Sequence, residues 1–241
     1  MYRRTPSTTP SRYPERARYD EATVHSILDE CLVGHLGFVA DGRPQVLPML
    51  FVREGPSLFL HGSTGAHPAR MAARGRGLDV CFETTLIDGL VLARSTFNHS
   101  VNYRTVVVHG TAALVSDPSE KRRVLDLLVS KVVPGRAADA RPPDDGELRQ
   151  TAVLELPIVS VSAKVRSGGP KDDERDLSSP CWAGVVPMLS GRGVPVPAAD
   201  LAESVGLPAY LSEAAALSKA AALSKAVAQS EAVAMAPGAP V

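Results

Sequence analysis

The chain has 241 residues, of which 44% are apolar, and its 26 basic and 26 acidic residues give a formal net charge of zero. This length allows one domain with appendages or two small domains, and the neutral balance argues against a dominant role in binding polyanions such as nucleic acids. The three cysteines (Cys31, Cys81 and Cys181) are far apart and odd in number, which disfavours a disulfide framework and a zinc site. Cys31 and Cys81 lie in apolar segments and are expected to be buried.

Targeting signals are not evident in the chain. It contains no apolar run of about 18 residues and no apolar stretch near its N-terminus. We therefore expect a cytoplasmic protein without a membrane-spanning helix.

Composition divides the chain into three parts. Residues 1–18 hold three prolines and five arginines with little to bury, which predicts a disordered basic arm, with a nucleic-acid contact as the less favoured alternative. Residues 19–189 have the composition of a folded domain. Residues 190–241 include an Ala-rich run in which "AALSKA" is repeated, and this predicts a frayed helix or disordered tail, or alternatively a partner-binding helix.

The domain begins with a helical pattern and continues as strands. Val24, Ile27, Leu28 and Cys31 have helical spacing, and Asp20 can cap their helix. The apolar runs "HLGFVA" and "QVLPMLFV" flank "DGRP", a strong hairpin signal, and "EGPS" separates the second run from "LFLHG". A short helix is predicted at residues 67–74.

The second half of the domain repeats this alternation. "LDVCFETTLIDGLVLA" predicts a strand with a turn near Asp88 and Gly89, and "YRTVVVHGTAALV" predicts a long strand with a bulge or bend at Gly110. "DPSEKRRVLDLLVSKVV" predicts a capped helix, and "ELRQTAVLELPIVSVSAKV" a helical turn followed by a strand. About six strands with two or three helices at their connections indicate a closed antiparallel barrel.

Three polar clusters stand at the ends of predicted strands. In "HGSTGAH", two glycines allow close backbone approach and Ser63 and Thr64 offer hydroxyls, which suits a phosphate, although a capped turn is the favoured explanation on these residues alone. In "NHSVNYRT", Asn98, Ser100 and Asn102 would share one face of an extended segment, or else satisfy their own backbone. In "SAKVRSGGP", Lys164 and Arg166 lie two residues apart, as on a solvated strand face or beside an anion.

Four blocks in order carry a family resemblance: "LFLHGSTGAHPARMA", "FNHSVNYRTVVVHGTA", "VSAKVRSGGPKDDERD" and "WAGVVPM". Together they resemble the flavin-nucleotide-binding group related to pyridoxamine 5′-phosphate oxidase, and within it the branch of the nitroimidazole-resistance (Nim) reductases. The resemblance covers residues 19–189. It implies a six-stranded antiparallel split β-barrel that forms a homodimer with FMN bound between the subunits.

The resemblance also implies roles for individual residues. His61 is similar to the position beside the flavin in the Nim branch and is the candidate catalytic residue. The cofactor-binding candidates are Gly62, Ser63, Thr64, His67, Arg70, Asn98, Ser100, Asn102, Arg104, Lys164 and Arg166, and no metal ligand is assigned. Relatives of the oxidase place Arg or Lys early in the helix after the Gly-rich turn, where this chain has Ala66, His67 and Pro68. Either Arg70 or His67 therefore serves the phosphate, or phosphate affinity is reduced.

The function implied is that of an FMN-dependent oxidoreductase acting on a small molecule, with no nucleic-acid or membrane partner. Pyridoxamine phosphate oxidation itself is disfavoured, because the basic phosphate residues of true oxidases are not evident. Two alternatives stay open: a non-catalytic flavin-binding protein, and a split barrel that binds deazaflavin or haem.

Overall fold

A computed structural model of the chain describes residues 1–212 and Ser224. Within this part of the chain the helices are α1 (Glu21–Glu30), α2 (His67–Ala72), α3 (Pro118–Val132), α4 (Arg136–Asp139) and α5 (Asp145–Gln150). The strands are β1 (Ala17–Arg18), β2 (Val33–Ala40), β3 (Arg43–Glu54), β4 (Ser57–Ser63), β5 (Leu78–Leu92), β6 (Ser100–Leu114), β7 (Thr151–Pro157), β8 (Ser160–Arg166) and β9 (Gly184–Pro187). The predicted Ala-rich helix or tail lies, apart from residues 190–212 and Ser224, outside the described residues.

The chain forms two compact units. Unit 1 comprises Met1–Leu86 and Arg104–Val165, and unit 2 comprises Ile87–Tyr103 and the chain from Arg166 onward. Strands β5 and β6 each contribute residues to both units.

A ring of six strands forms the centre of the fold. The strands are hydrogen-bonded in the order β6-β7-β4-β3-β2-β5, and a further pairing between β5 and β6 closes the ring. Within unit 1 this closure is reinforced by the Thr111 hydroxyl, which donates to Asp79 at 2.7 Å. The predicted six-stranded antiparallel split barrel is confirmed.

A tight turn connects β2 and β3. Ala40 pairs with Arg43 across a two-residue loop, and Asp41 and Gly42 have φ values of 50° and 71°. Both values lie in the left-handed region that a type I′ hairpin turn requires, and Asp-Gly suits it. The predicted hairpin is therefore present with its expected turn.

The main core fills the barrel of unit 1. The rings of Phe51 and Phe82 meet edge to face with centroids 4.9 Å apart, and both side chains are fully buried. A second cluster packs Val124 and Leu128 of α3 against Val52, Phe59 and Val153 on the outer side of the sheet. The apolar residues of α3 recur at helical spacing and therefore cover one face of the barrel, as in other amphipathic helices.

The N-terminal residues, for which composition predicts a disordered arm, have defined contacts in unit 1. The Tyr2 backbone N–H donates to Tyr19 at 2.8 Å, and Ala17 pairs with Lys164 of β8. The Tyr2 hydroxyl and the His25 ring are hydrogen-bonded at 2.8 Å. The tyrosines of the N-terminal segment and the pairing of β1 attach the segment to the rest of unit 1. A count of prolines and arginines does not reveal these contacts.

In unit 2, β5 continues through the position of the predicted turn at Asp88 and Gly89. Gly89 pairs with Pro187 of β9, and Asp88 is buried. A Cβ on Gly89 would lie 2.9 Å from a methyl group of Val185 and 3.2 Å from the Val186 carbonyl oxygen. The glycine therefore permits close approach of a neighbouring strand, and the turn prediction is wrong.

Candidate functional site

His61, Gly62 and Ser63 lie at an open end of β4. They pair with β7 on one side, in the register His61 to Val153. On the other side, β3 pairs with β4 only as far as Phe51 to Leu60, and its earlier residues pair with β2 instead. The two strands therefore diverge beside His61 and leave a gap in the barrel wall.

This gap holds a cavity of about 260 Å³, termed cavity A. It is bounded by β3, β4, α2 and β7, and its walls are mostly apolar. The residues that line it are Leu47, Pro48, Met49, Leu50, His61, Gly62, Ser63, Ala66, Pro68, Ala69, Ala152 and Leu154. Three of the predicted site residues thus border one cavity.

The His61 ring has a polar atom without a partner. Its Nδ1 is buried and makes no hydrogen bond to any of the described residues. By contrast, the His99 ring bonds the Ser95 carbonyl oxygen at 2.9 Å and the His35 ring lies 3.3 Å from a Glu83 oxygen. Because a buried polar group normally has a partner, an unpartnered ring nitrogen beside a cavity indicates a ligand position.

His61 also lines a second, larger cavity of about 450 Å³, termed cavity B. Its walls are α3, residues between Arg136 and Pro143, Glu147, Leu50 of β3 and His61 of β4. Leu50 and His61 are shared by the two cavities. Apart from His61, none of the site residues predicted from the sequence lines cavity B.

The turn after β4, predicted to cradle a phosphate, already satisfies several of its own donors. The Thr64 N–H donates to the Gln150 carbonyl at 3.0 Å, and the Ala66 N–H donates to the Ser63 carbonyl at 3.0 Å. The Gly65 N–H donates to the Ser63 hydroxyl at 3.2 Å. Ser63 accepts in that bond, so its hydroxyl proton can still be donated to a ligand.

The cationic candidates of this turn are open to solvent. His67 begins α2 and Arg70 lies in its last turn, and both side chains are exposed. Helix α2 has six residues, so its own dipole adds little at its N-terminus. Any positive charge for a phosphate here would come from these two side chains.

Arg104 and Lys164 have partners elsewhere in unit 1. The Arg104 guanidinium makes a two-point ion pair with Glu30, at 2.5 and 2.9 Å. The Lys164 ammonium donates to the Arg12 carbonyl at 2.9 Å. The structure therefore gives each of them a structural contact, and their predicted roles at the cofactor stay predictions.

Asn102 and Arg166 meet in unit 2. The Arg166 guanidinium donates to the Asn102 side-chain oxygen, and the Asn102 amide donates to the Gly168 carbonyl at 3.1 Å. Both side chains are buried. Sequence analysis selected both residues, but nothing in their spacing indicated that they bind each other.

A second polar pair in unit 2 was missed. The Asp172 carboxylate, 2% exposed, accepts from the Arg94 backbone N–H and from its guanidinium, each at 2.7 Å. Burial raises the pKa of Asp172, but the hydrogen bonds from Arg94 outweigh burial and hold the pKa below its usual value. In the same unit the Asn98 amide nitrogen is buried and has no hydrogen-bond partner within the described part of the chain, and Ser100 is half-buried. Because 78 residues separate Arg94 from Asp172, no local pattern could have shown this contact.

No helix in residues 1–212 is both long and apolar enough to span a membrane.

The family of the chain is shown by its match to a family model. The family model described as pyridoxamine 5′-phosphate oxidase matches residues 20–165, well over half of the chain. The chain belongs to this family.

Two solved structures are similar to this member of the pyridoxamine 5′-phosphate oxidase family over most of its chain. The flavocytochrome Anf3 from Azotobacter vinelandii is 37% identical, with a TM-score of 0.81 over 87% of this chain and 96% of that one. A FAD and heme binding protein from Mycobacterium smegmatis is 33% identical, with a TM-score of 0.78 over 83% of this chain and 97% of that one. No curated protein matches.

A nitroimidazole-resistance protein also shares the fold. The protein from Bacteroides thetaiotaomicron is 24% identical, with a TM-score of 0.51 over 62% of this chain and 86% of that one. The resemblance to the oxidase-related group is confirmed by the family model, whereas the Nim-like branch shares the fold and stays a prediction beyond that. The matched range of the pyridoxamine 5′-phosphate oxidase model includes His61 and Arg104, whereas Arg166 lies just beyond it.

Proposed function

We propose that this protein binds a flavin nucleotide beside His61 and uses it to oxidise or reduce a small molecule. The observation that carries the proposal is the open end of β4, where His61, Gly62 and Ser63 border cavity A. A flavin requires a mostly apolar slot for its ring and a few hydrogen-bonding groups for its ribityl chain and phosphate. Cavity A supplies apolar walls, and Ser63 supplies a hydroxyl at its edge.

The size of cavity A supports a site that one chain does not complete. Its volume of about 260 Å³ is below the roughly 300–1,000 Å³ of most small-molecule pockets. It can hold part of a flavin, so the rest of the cofactor must lie against another surface.

We propose that a second copy of the chain supplies that surface. Residues 43–48 of β3 are exposed throughout, although the segment is rich in Pro, Val and Leu. On the adjoining strands Val39 is 58% exposed and Val46 is 64% exposed. Exposed apolar faces of this kind mark interaction sites, and a homodimer packed through β2 and β3 would cover it beside cavity A.

The flavin is FMN by the resemblance seen in the sequence, whereas a relative 33% identical to this chain is described as binding FAD. We keep FMN as the proposal, with FAD as the other outcome of the test. Thr64, His67 and Arg70, which follow Ser63 along the chain, would hold it as well. The cofactor roles that the resemblance implies for Asn98, Ser100, Asn102, Arg104, Lys164 and Arg166 stay predictions.

When bound, a flavin supplies hydride and single-electron transfer. The part we assign to His61 is to stand at the reacting edge of the ring and to donate or accept a proton through its unpartnered nitrogen. Its place on a barrel strand gives it a fixed position, and the apolar walls of cavity A exclude water from one side of it.

A second candidate function is binding of haem in addition to flavin. The observation that favours it is that two relatives at 37% and 33% identity are described as a flavocytochrome and as a FAD and heme binding protein.

The test is to purify the full chain, record its visible spectrum and identify by mass spectrometry what it releases on denaturation. We expect flavin absorbance with FMN or FAD released, and reduction of the bound flavin by a nicotinamide cofactor or another electron donor. His61→Ala should keep the flavin and lower turnover. His99→Ala is the matched control, since its ring is exposed and bonded to Ser95.

A colourless protein that takes up neither added FMN nor added FAD would overturn flavin binding. Bound flavin that no donor reduces would favour the non-catalytic alternative. Full turnover in His61→Ala would remove the catalytic role of that residue alone.

A further inference from the structure

Cavity B is a mainly apolar space that the flavin proposal leaves unused. Its volume of about 450 Å³ falls within the usual range of small-molecule pockets and far exceeds the voids between packed side chains. Most of its lining is aliphatic: Leu125, Leu128, Val129, Val132, Ala137 and Pro142. A ligand of this cavity would therefore bury mainly apolar surface.

The charged side chains around cavity B neutralise one another. Two basic residues (Arg136 and Arg141) and two acidic residues (Asp126 and Glu147) line it. Both terminal nitrogens of Arg141 donate to the Glu147 carboxylate, at 2.7 and 3.1 Å, and Arg136 donates to Asp139 at 3.0 Å. An anion would have to compete with a carboxylate for either guanidinium, and a cation would find only Asp126, which is exposed to water. Because a charged ligand would lose hydration with little in return, the cavity favours a neutral one.

Cavity B adjoins the proposed flavin site through two residues. Leu50 of β3 and His61 of β4 line both cavity A and cavity B. A molecule in cavity B would therefore lie one side chain away from a flavin in cavity A. A substrate of a flavin protein needs a position next to the cofactor, and cavity B offers one.

We propose that cavity B binds the small molecule that exchanges electrons with the flavin, and that this molecule is neutral and mainly apolar. The inference rests on the proposed flavin function and names the substrate class of that function. Three observations carry it: the aliphatic lining, the pairing of both arginines with carboxylates, and the wall shared with cavity A.

An apolar anion such as a fatty acid is the competing ligand, because it would use the same walls and would need one of the arginines. The first experiment therefore compares 2-naphthamide with 2-naphthoate, which share one ring system and differ by one charge. Each is dialysed to equilibrium against the purified full-length protein, with flavin content measured separately. The neutral amide should bind at least about tenfold more tightly, because the carboxylate would be desolvated beside arginines that are already paired.

Glu147 tests the charge argument directly. Glu147→Gln frees the Arg141 guanidinium and keeps a side-chain oxygen for the capping bond that Glu147 accepts from the Asp144 N–H. Binding of 2-naphthoate should become about twofold to fivefold tighter, as expected of an exposed ion pair, and binding of 2-naphthamide should stay the same.

Filling cavity B from two helices tests the location. Val129→Trp projects from α3 and Ala137→Leu from α4, and each should weaken 2-naphthamide binding at least about tenfold, as overpacking of an apolar site does. Val159→Trp is the matched control, since Val159 is 73% exposed and does not line cavity B, and it should bind as the wild type does. The thermal midpoint of each variant shows that it is folded.

The electron-transfer experiment uses the flavin-loaded protein without oxygen. The probe is 2,3-dimethyl-1,4-naphthoquinone, a neutral bicyclic molecule. It takes two electrons and two protons from the reduced flavin, which becomes oxidised, and it leaves as the hydroquinone. The return of flavin absorbance gives the rate, and both filled variants should be at least about tenfold slower than Val159→Trp.

Two binding results would overturn the inference: equal affinity of the wild type for 2-naphthamide and 2-naphthoate, or wild-type affinity for 2-naphthamide in either filled variant. Equal rates of flavin reoxidation in the filled and control variants would overturn the role of cavity B and leave the flavin proposal intact. Selective binding of 2-naphthamide that the filled variants lose, in a protein that takes up neither FMN nor FAD, would overturn the flavin proposal and the electron transfer, while the neutral ligand site stands.

Discussion

Arg94 binds Asp172 at two points, since its backbone N–H and its guanidinium each donate to a different oxygen of that carboxylate at 2.7 Å. The carboxylate is 2% exposed, whereas the guanidinium remains 30% exposed. The pair therefore ties residues 78 positions apart in unit 2 while leaving the cation in contact with water.

Replacing this carboxylate should destabilise unit 2. Asp172→Asn keeps the shape but removes the charge, and we expect a loss of about 1–3 kcal/mol in the free energy of unfolding at neutral pH, as for a buried hydrogen-bonded group that loses its partner. Urea denaturation measures it. Asp173→Asn, in an exposed pair with Arg175 at 3.5 Å, is the control and should change little.

The same pair predicts an acid dependence. Because Arg94 lowers the pKa of Asp172 in the folded state, the unfolded chain takes up the proton first as the pH falls. The stabilisation is complete above about pH 4 and is lost as the pH falls through the lowered pKa. The difference in unfolding free energy between wild type and Asp172→Asn should therefore shrink below that pH, and a constant difference would contradict the assignment.

Lys131 predicts a dependence on alkaline pH. Burial lowers the pKa of its ammonium to about 8, although the group lies 3.8 Å from the Phe51 ring centre and donates to the Leu28 carbonyl at 2.9 Å. Between pH 8 and the ordinary pKa of 10.5, the unfolded chain holds more protons than the folded one, so stability rises with pH. Relative to Lys131→Met, the wild type should gain about 1–3 kcal/mol between about pH 7.5 and 10.

That gain is measured by urea denaturation of both proteins at each pH, so that the titration of other groups cancels. A difference that stays constant across this window would show that the ammonium is not desolvated in the folded state.

Gly34 should tolerate no side chain. A Cβ there would lie 2.1 Å from the Phe82 ring, which is fully buried and meets Phe51 edge to face. Gly34→Ala must displace that ring, and we expect a loss of about 1–3 kcal/mol, as for overpacked cores. Gly193→Ala, where nothing lies within 4 Å, should be close to neutral, and equal thermal midpoints for the two variants would contradict this packing.

Arg104 tests the predicted phosphate role against the observed contact. Since its guanidinium is held at two points by Glu30, Arg104→Ala should lower the unfolding free energy by up to about 1 kcal/mol and change flavin affinity by less than about threefold. Glu30→Gln should cause a similar loss of stability. A large loss of flavin from Arg104→Ala but not from Glu30→Gln would instead support the phosphate role.

Much of the barrel could be predicted because its signals are local. Asp41 and Gly42 can enter the left-handed region, so the hairpin between β2 and β3 follows from two residues. The spacing of Val124 and Leu128 likewise predicts α3 and its buried face. The prediction of a turn at Asp88 and Gly89 is wrong for a local reason as well. The sequence does not distinguish a glycine that lets a neighbouring strand approach from a glycine that turns the chain.

Some features of the candidate site could likewise be predicted from the sequence, and others could not. The sequence by itself determined the barrel, the family and the presence of His61, Gly62 and Ser63 at the end of a strand, because these depend on short-range patterning and on motif order. Only the tertiary structure decided that β3 leaves β4 beside His61, that cavity B lies behind it, and that Arg104 pairs with Glu30 and Asp172 with Arg94. Those contacts join residues far apart in the chain, and their geometry is set by strand pairing and side-chain packing, which no single stretch of sequence contains.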